Sequence, residues 1–267
     1  MEKLTLADLT LAYRVHGHGP DVVLIHGWLS SWRVWEGTVH TLVIAGYRCW
    51  SLDLPGFGES SQPGLEWYTL DNLGQAVAQF LGILQLRDVC LLGHSMGGMI
   101  TLHLAAERPD LVSRLIAVSP VVTGRINPLA ERLLVGRMGE WLLGRSHDLW
   151  NLAAAGTRRL AVEPWARSRP EVQRNLEDAA RASCAATIAG LRCVLQSDLS
   201  PRLAHIRARS LIIAGTLDQT VPPRESRLAA ARIPNARLVL LPGVRHAPMD
   251  ERPATFHRLV LDFLRQP

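Results

Sequence analysis

The sequence predicts an α/β fold with a mostly parallel central sheet and helices on both of its faces. Three observations indicate this architecture. Short apolar runs typical of buried strands alternate with segments of helical periodicity along most of the 267 residues. The run 89–92 is apolar throughout, as expected of a parallel strand that is covered on both faces. Residues 3–15 alternate as strand, turn and strand, which predicts an antiparallel hairpin at one edge.

The remaining predicted strands and helices continue this alternation, and we expect the crossovers between the parallel strands to be right-handed. Gly46 is the predicted stop of the first helix, because glycine accepts the left-handed conformation that ends helices. In chain order these elements are a strand at 22–25, a helix at 32–45, a strand at 47–52, helices at 69–84 and 96–107 on either side of the strand at 89–92, strands at 115–118, 211–214 and 238–241, and a helix at 253–264.

One region, residues 121–200, lacks convincing strands and reads as a helical cap, or lid, inserted into the core. The core then comprises residues 1–120 and 201–267. Helices are expected at 128–142, 147–161 and 170–196, and the first begins with Asn127 as N-cap and Pro128 as its first residue. Because the cap follows a strand of the sheet, we expect it to lie above the active edge. Met138 and Trp141 are therefore candidate substrate-binding residues on its apolar face.

The composition is that of an ordinary globular protein, with 48% hydrophobic residues, a formal charge of +5 and a pI near 9.5. The positive charge comes almost wholly from arginines that are scattered among acidic residues, with Lys3 as the single lysine. This scatter favours a solvated mixed surface over a nucleic-acid-binding patch. The sequence contains no stretch of 18 apolar residues, so no membrane span is predicted.

The four cysteines form no C-x-x-C pair, which leaves a zinc or redox motif unsupported. Cys49 and Cys90 fall in apolar strand-like runs, where cysteine packs as a small hydrophobic residue. The N-terminal sequence has no basic segment followed by a long apolar core, so no signal peptide is predicted. Together these features lead us to expect a reducing, cytoplasmic location, and neither a cofactor nor a metal is implied.

The sequence Gly-His-Ser-Met-Gly-Gly at 93–98 matches G-x-S-x-G and lies between a predicted buried strand and a predicted helix. A nucleophilic serine must occupy a sharp strand-to-helix turn to expose its hydroxyl, and the flanking glycines let the strand and the helix pass closely. The pattern alone is common, and a glycine-rich turn without catalysis is the alternative interpretation. The strand-turn-helix context favours Ser95 as a nucleophile.

A serine hydroxyl needs a base, and His246 is the histidine best placed to act as one. It lies on a loop after the strand at 238–241, at the carboxyl edge where ligands bind in open α/β sheets. Asp218 follows the strand at 211–214 and would orient that base, although a turn aspartate is the alternative interpretation. His94 is expected to point away from the serine, and His26 is expected to brace the loop that it begins.

An acyl-transfer site also needs donors for the oxyanion. The backbone N–H of Met96, directly after the serine, is one expected donor. The backbone N–H of Trp28, in the loop after the strand at 22–25, is the other. Trp28 can in addition be a packed aromatic residue. Asp53 is expected to shape its loop rather than to act in catalysis.

Five segments carry a family resemblance: HGW at 26–28, DLPGFGES at 53–60, GHSMGG at 93–98, GTLDQTVPP at 215–223 and RHAPMDERP at 245–253. Together they resemble the α/β-hydrolase superfamily over nearly the whole chain, most weakly in residues 121–196. The similarity is to the serine-nucleophile branch that contains carboxylesterases, perhydrolases and carbon–carbon bond hydrolases. Two departures are Arg245, where family members often have glycine, and the absence of a proline before the strand that leads to Asp218.

The resemblance and the candidate triad of Ser95, Asp218 and His246 imply a serine hydrolase that cleaves small to medium uncharged esters through an acyl-enzyme. Two alternatives stay open at this point. The same triad could cleave a carbon–carbon bond in a ring-fission product, or the fold could serve as a non-catalytic binding module. The sequence determines neither the physiological substrate nor the oligomeric state.

Overall fold

The computed structural model describes residues 1–125 and 169–266, and within them eight strands form one sheet. The order across the sheet is β1-β2-β4-β3-β5-β6-β7-β8. The strands are β1 (Glu2–Thr5), β2 (Thr10–His16), β3 (Asp21–Ile25), β4 (Arg48–Leu52), β5 (Val89–His94), β6 (Val112–Val118), β7 (Arg209–Gly215) and β8 (Ala236–Leu241).

The pairing of the strands agrees with the predicted mostly parallel sheet and antiparallel edge. β1 pairs with β2, and β2 pairs with β4, in antiparallel register. The pairs from β4 through β3 and β5 to β8 are parallel. Every residue of β5 is buried, as the continuous apolar run predicted.

The helices and short 3-10 turns lie on both faces of this sheet. The helix predicted at 32–45 begins as a 3-10 turn, Trp32–Trp35, which continues into α1 (Glu36–Ile44). Gly46 follows α1 with a φ of +88°, the left-handed conformation expected of a helix stop. The other helices are α2 (Leu70–Ile83), α3 (Met96–Glu107), α4 (Pro170–Arg181), α5 (Cys184–Gln196), α6 (Pro223–Arg232), α7 (Pro248–Glu251) and α8 (Pro253–Arg265), with α1 at Glu36–Ile44 and further 3-10 turns at Leu65–Trp67 and Leu203–His205.

Two apolar layers cover the two faces of the sheet. One layer packs α2 and α3 on the sheet, with side chains such as Phe80 and Met99 fully buried. The other packs α1 and α8 on the opposite face, around Trp35 and Phe256. Burial on both faces is what the alternation of apolar runs and amphipathic helices requires.

The chain between β6 and β7 contains α4 and α5, where one continuous helix was predicted at 170–196. That prediction is wrong, because Ala182 and Ser183 have extended backbone and separate the two helices. The Ser183 hydroxyl accepts a hydrogen bond from Ala186 N at 3.0 Å and so caps α5, while Ser183 N donates to Gly56 O in the core. The helices predicted at 128–142 and 147–161, with Met138 and Trp141, lie outside the described residues.

The order of the strands creates a switch point beside β3. The chain passes from β3 to its neighbour β4 on one side and then returns to β5 on the other. In open α/β sheets, a crevice forms at the carboxyl ends of the strands at such a point. Among the described helices, none is long and apolar enough to cross a membrane.

Candidate active site

Ser95 occupies a sharp turn between β5 and α3 at the carboxyl edge of the sheet. Its φ of +55° and ψ of −115° lie outside the regions that non-glycine residues usually adopt. Ser95 N donates to Val118 O at 2.9 Å, and Ser95 O accepts from Met99 N at 3.0 Å. These bonds hold the strained residue from both sides, which is how a strained backbone persists at functional sites. The partial positive charge of the α3 N-terminus lies directly beside this residue.

Two glycines allow the turn to be this tight. A Cβ on Gly93 would lie 2.3 Å from Gly97 O, and a Cβ on Gly97 would lie 2.3 Å from Ile25 O and 2.4 Å from His26 O. All three distances are shorter than real Cβ contacts, and the atoms met are backbone. The predicted close passage of strand and helix around the serine is therefore present in the structure.

His246 and Asp218, which lie on the loops after β8 and β7, form a hydrogen-bonded pair. The imidazole Nδ1 shares a hydrogen bond of 2.8 Å with Asp218 Oδ2. The other carboxylate oxygen, Oδ1, accepts from the backbone N–H groups of Thr220 and Val221 at 2.9 Å each. Burial acts to raise the pKa of Asp218, but the hydrogen bond from His246 and the charge of that ring outweigh it, so the pKa is lowered. Asp218 thus has one carboxylate oxygen in the turn and the other on the histidine.

The loop after β3, residues 27–31, lies directly against the serine and is called the oxyanion loop below. A Cβ on Gly27 would lie 3.2 Å from Ser95 Cβ. Within the described residues, the backbone N–H groups of Trp28 and Met96 donate to no protein acceptor. Leu29 in this loop has a φ of +59°, which is rare for a branched residue. Trp28 and Ser95 line the same cavity.

His26 and Asp53 brace the base of the oxyanion loop. His26 Nδ1 donates to Gly27 O at 2.7 Å, and its Nε2 accepts from Leu54 N at 2.9 Å. Asp53 accepts from Trp32 N at 2.8 Å and from Glu59 N at 3.0 Å. Burial lowers the pKa of His26 and raises the pKa of Asp53. Because both ring nitrogens of His26 are engaged with the backbone, its role is structural, as is that of Asp53.

His94, which was expected to point away from the serine, lies beside the ring of His246. The loop that carries His246 folds over the end of β5, so the two rings lie 4.7 Å apart between their centres. His94 Nε2 donates to the backbone carbonyl of His246 at 2.9 Å. Burial, and secondly the charge of His246, lower the pKa of His94 to about 3. A neutral His94 can therefore support the loop of His246 without repelling a protonated ring.

Ser95 and His246 line one cavity of about 470 Å³, within the size range of small-molecule sites. Within the described residues, the Ser95 hydroxyl makes no hydrogen bond, and catalytic hydrogen bonds commonly tighten only when substrate binds. No group of three histidine, cysteine or acidic side chains in residues 1–125 and 169–266 is placed to hold a metal ion.

One wall of the cavity comes from α4, which the sequence analysis did not single out. Its contributing residues recur at helical spacing and are Val172, Asn175, Leu176 and Ala179. An apolar stripe on an otherwise charged helix is a signal that could have identified them. The only charged residue in the described lining, Asp250, is paired with Arg174 through two hydrogen bonds, the shorter of 2.7 Å.

Comparisons with known proteins concern the fold and the class of enzyme. Residues 20–253 match the family model described as the alpha/beta hydrolase fold. A pimeloyl-[acyl-carrier protein] methyl ester esterase of Aeromonas hydrophila is 32% identical over 262 residues, which cover 93% of this chain and 96% of that protein. A hydrolase from Pseudomonas aeruginosa superposes with a TM-score of 0.85 at 28% identity, over 99% of this chain and 98% of its own. A bromoperoxidase from Bacillus anthracis has a TM-score of 0.83 at 29% identity, over 97% and 96% of the two chains.

Proposed function

From the premise that this chain belongs to the α/β-hydrolase fold family and is a carboxylic ester hydrolase, we propose that Ser95, His246 and Asp218 form its catalytic triad. The observation that carries the proposal is the hydrogen bond between His246 Nδ1 and Asp218 Oδ2, on a histidine that shares a cavity with Ser95. That bond fixes the tautomer in which Nε2 is free to accept a proton.

In the proposed mechanism, Ser95 Oγ attacks the ester carbonyl carbon while His246 Nε2 accepts the hydroxyl proton. The carbonyl oxygen becomes an oxyanion that accepts hydrogen bonds from Trp28 N–H and Met96 N–H. Collapse of this intermediate breaks the bond to the alcohol, which leaves with the proton from His246. Water then attacks the acyl-enzyme with His246 as base, which releases the carboxylic acid and restores Ser95. The buried Asp218 carboxylate stabilises the imidazolium in both steps.

The lining of the cavity supports uncharged esters of small to medium size as substrates. Its described wall is mainly apolar, with Trp28, Leu29, Val34, Leu176 and Ala179 among its residues. The charge of Asp250 is already neutralised by Arg174. A charged acyl group would lose its hydration here without gaining a free partner of opposite charge. We therefore propose that the acyl chain lies against this apolar wall.

A second candidate is a methyl ester of a medium-length acyl chain that is carried on a protein. The similarity to the Aeromonas hydrophila esterase, over nearly the full length of both chains, favours it. If so, the methyl ester should be hydrolysed faster when its acyl chain is attached to a carrier protein than when the same acyl chain is free in solution. Equal kcat/KM for the two forms would instead favour a free small-molecule ester.

We further propose that residues 121–200 form a cap on the core, of which α4 and α5 are the described helices. In support, α4 supplies a wall of the cavity and α5 begins at a hydrogen bond to the core at Gly56. The predicted substrate contacts of Met138 and Trp141 belong to this proposal. Their replacement by alanine should shift the preferred acyl length more than it changes hydrolysis of acetate esters.

The decisive experiment compares Ser95→Ala with wild type and with Ser113→Ala, a serine whose hydroxyl bonds to Asp88 O at the opposite edge of the sheet. A fluorophosphonate probe should label wild type and the Ser113 variant but not the Ser95 variant. Turnover of p-nitrophenyl esters should fall by several powers of ten only when Ser95 is replaced. Near-normal turnover without Ser95 would overturn the assignment. Cleavage of a ring-fission product without any ester turnover would point to the carbon–carbon bond alternative.

A further inference from the structure

The oxyanion loop touches the core at its base, but two of its side chains are held by helices of the proposed cap. Trp28 Nε1 donates to Thr187 O of α5 at 2.9 Å. The Ser31 hydroxyl donates to Asp178 Oδ2 of α4 at 2.8 Å. Between these two anchors lies Leu29 with its positive φ. A strained backbone of this kind persists only when its surroundings determine it, and here the surroundings include α4 and α5.

Asp178 is the most unusual of these contacts, because it is a carboxylate that is only 2% exposed. Its two oxygens face two donors: Oδ2 accepts from Ser31 Oγ, and Oδ1 accepts from Arg33 Nη1 at 3.0 Å. Charged groups are rarely buried unless they are paired and hydrogen-bonded, and Asp178 is both. The two hydrogen bonds that offset the cost of burying this carboxylate exist only while α4 is docked against the oxyanion loop and Arg33.

From this geometry we infer that Asp178 is a positioning residue, which acts through Ser31 to hold the oxyanion loop in its strained, donor-ready conformation. This inference rests on the proposed function, since it assigns Asp178 a part in the same site. Docking of α4 and formation of the oxyanion hole are then one event. The same helix that supplies the acyl wall also fixes the loop that supplies the Trp28 N–H, so both depend on α4 being seated.

The neighbouring acid on α4 provides a matched control. Glu177 Oε2 accepts from the same Arg33 nitrogen at 2.9 Å, but its side chain is 56% exposed. No described contact joins it to Ser31. Glu177→Gln removes one charge from the same helix and the same arginine, so a general loss of cap electrostatics would appear in both variants. A positioning role through Ser31 would appear only in Asp178→Asn.

The experiment measures kcat, KM and the inhibition constant of a trifluoromethyl ketone in Asp178→Asn, Ser31→Ala, the double variant and Glu177→Gln. The ketone adds to Ser95 and forms an oxyanion, so its affinity reports the oxyanion hole directly. Removal of a whole oxyanion donor costs roughly 10²–10³ in kcat, and a displaced donor should cost about tenfold. We expect Asp178→Asn and Ser31→Ala each to lower kcat about tenfold and to leave KM within about twofold of wild type. The inhibition constant of the ketone should rise by the same factor by which kcat falls.

The double variant and the failure of either proposal give further tests. The double variant should be no worse than the worse single variant, because both changes remove one contact. If Asp178→Asn does not fold, Ser31→Ala carries the test, since it removes the hydroxyl while Asp178 keeps its ion pair with Arg33. Lower melting temperatures with unchanged kcat and inhibition constant would overturn the inference. Retained turnover in Ser95→Ala would instead overturn the proposed function, so the two failures are distinguishable.

Discussion

Asparagine at position 218 would preserve the size of the acid and change which atom faces His246. The backbone N–H groups of Thr220 and Val221 both donate to Oδ1, so that site must hold an acceptor. The amide oxygen of asparagine will therefore take the turn position, and its NH₂ group will face His246 Nδ1. The imidazole must then accept at Nδ1 and carry its proton on Nε2. In that tautomer it cannot take the proton of Ser95.

The expected loss is set by that tautomer. In a comparable triad, this change of acid to amide lowers kcat by about four powers of ten, which corresponds to about 5 kcal/mol of transition-state stabilisation. The turn bonds are retained, so we expect little loss of stability. The assay is kcat/KM for p-nitrophenyl butyrate, with the melting temperature measured in parallel.

Asp53→Asn is the matched control, because Asp53 also accepts two backbone hydrogen bonds beside the site. Its two oxygens bond to different donors, so asparagine loses one bond, at a cost of about 1–3 kcal/mol in stability. Turnover by the folded protein should change far less than in Asp218→Asn. The reasoning would be refuted if Asp218→Asn retained turnover within tenfold of wild type, or if the Asp53 variant were the inactive one.

Three other predictions concern neighbouring residues. Because the pKa of His94 is lowered to about 3, its neutral ring contributes stability that is complete above about pH 6.5 and is lost as the pH falls toward 3. Denaturant unfolding at pH 7 and at pH 5 should therefore show that the free energy of unfolding falls less between these pH values in His94→Gln than in wild type. Gly97→Ala should lower the melting temperature by a few degrees, since its Cβ would meet backbone oxygens at 2.3 and 2.4 Å; an unchanged melting curve would contradict the close approach. Leu176→Ala should move the preferred acyl chain of p-nitrophenyl esters to longer lengths with little change for the acetate; an unmoved chain-length profile would exclude α4 from the acyl site.

The sequence predicted the fold and the candidate triad because both depend on local patterns. The fully apolar run at β5 is typical of a strand covered on both faces, and the glycines at 93 and 97 permit a turn that other residues would block. Ser95, Asp218 and His246 each follow a strand, and parallel strands end at one edge. Position along the chain therefore indicated position in space. The break between α4 and α5 was missed, and one of the bonds that hold it, from Ser183 N to Gly56 O, is a tertiary contact.

The sequence by itself thus determined which residues could meet at the carboxyl edge of the sheet, since strand order and turn chemistry are written in short segments. Only the tertiary structure decided what surrounds them. The contact of His94 with His246 and the contact of Asp178 with Ser31 each join residues more than 140 positions apart in sequence. The apolar wall of α4 likewise joins a helix to a cavity whose other residues lie far away in sequence. Such contacts arise from packing of elements against one another, and the geometry of packing depends on all of the partners at once.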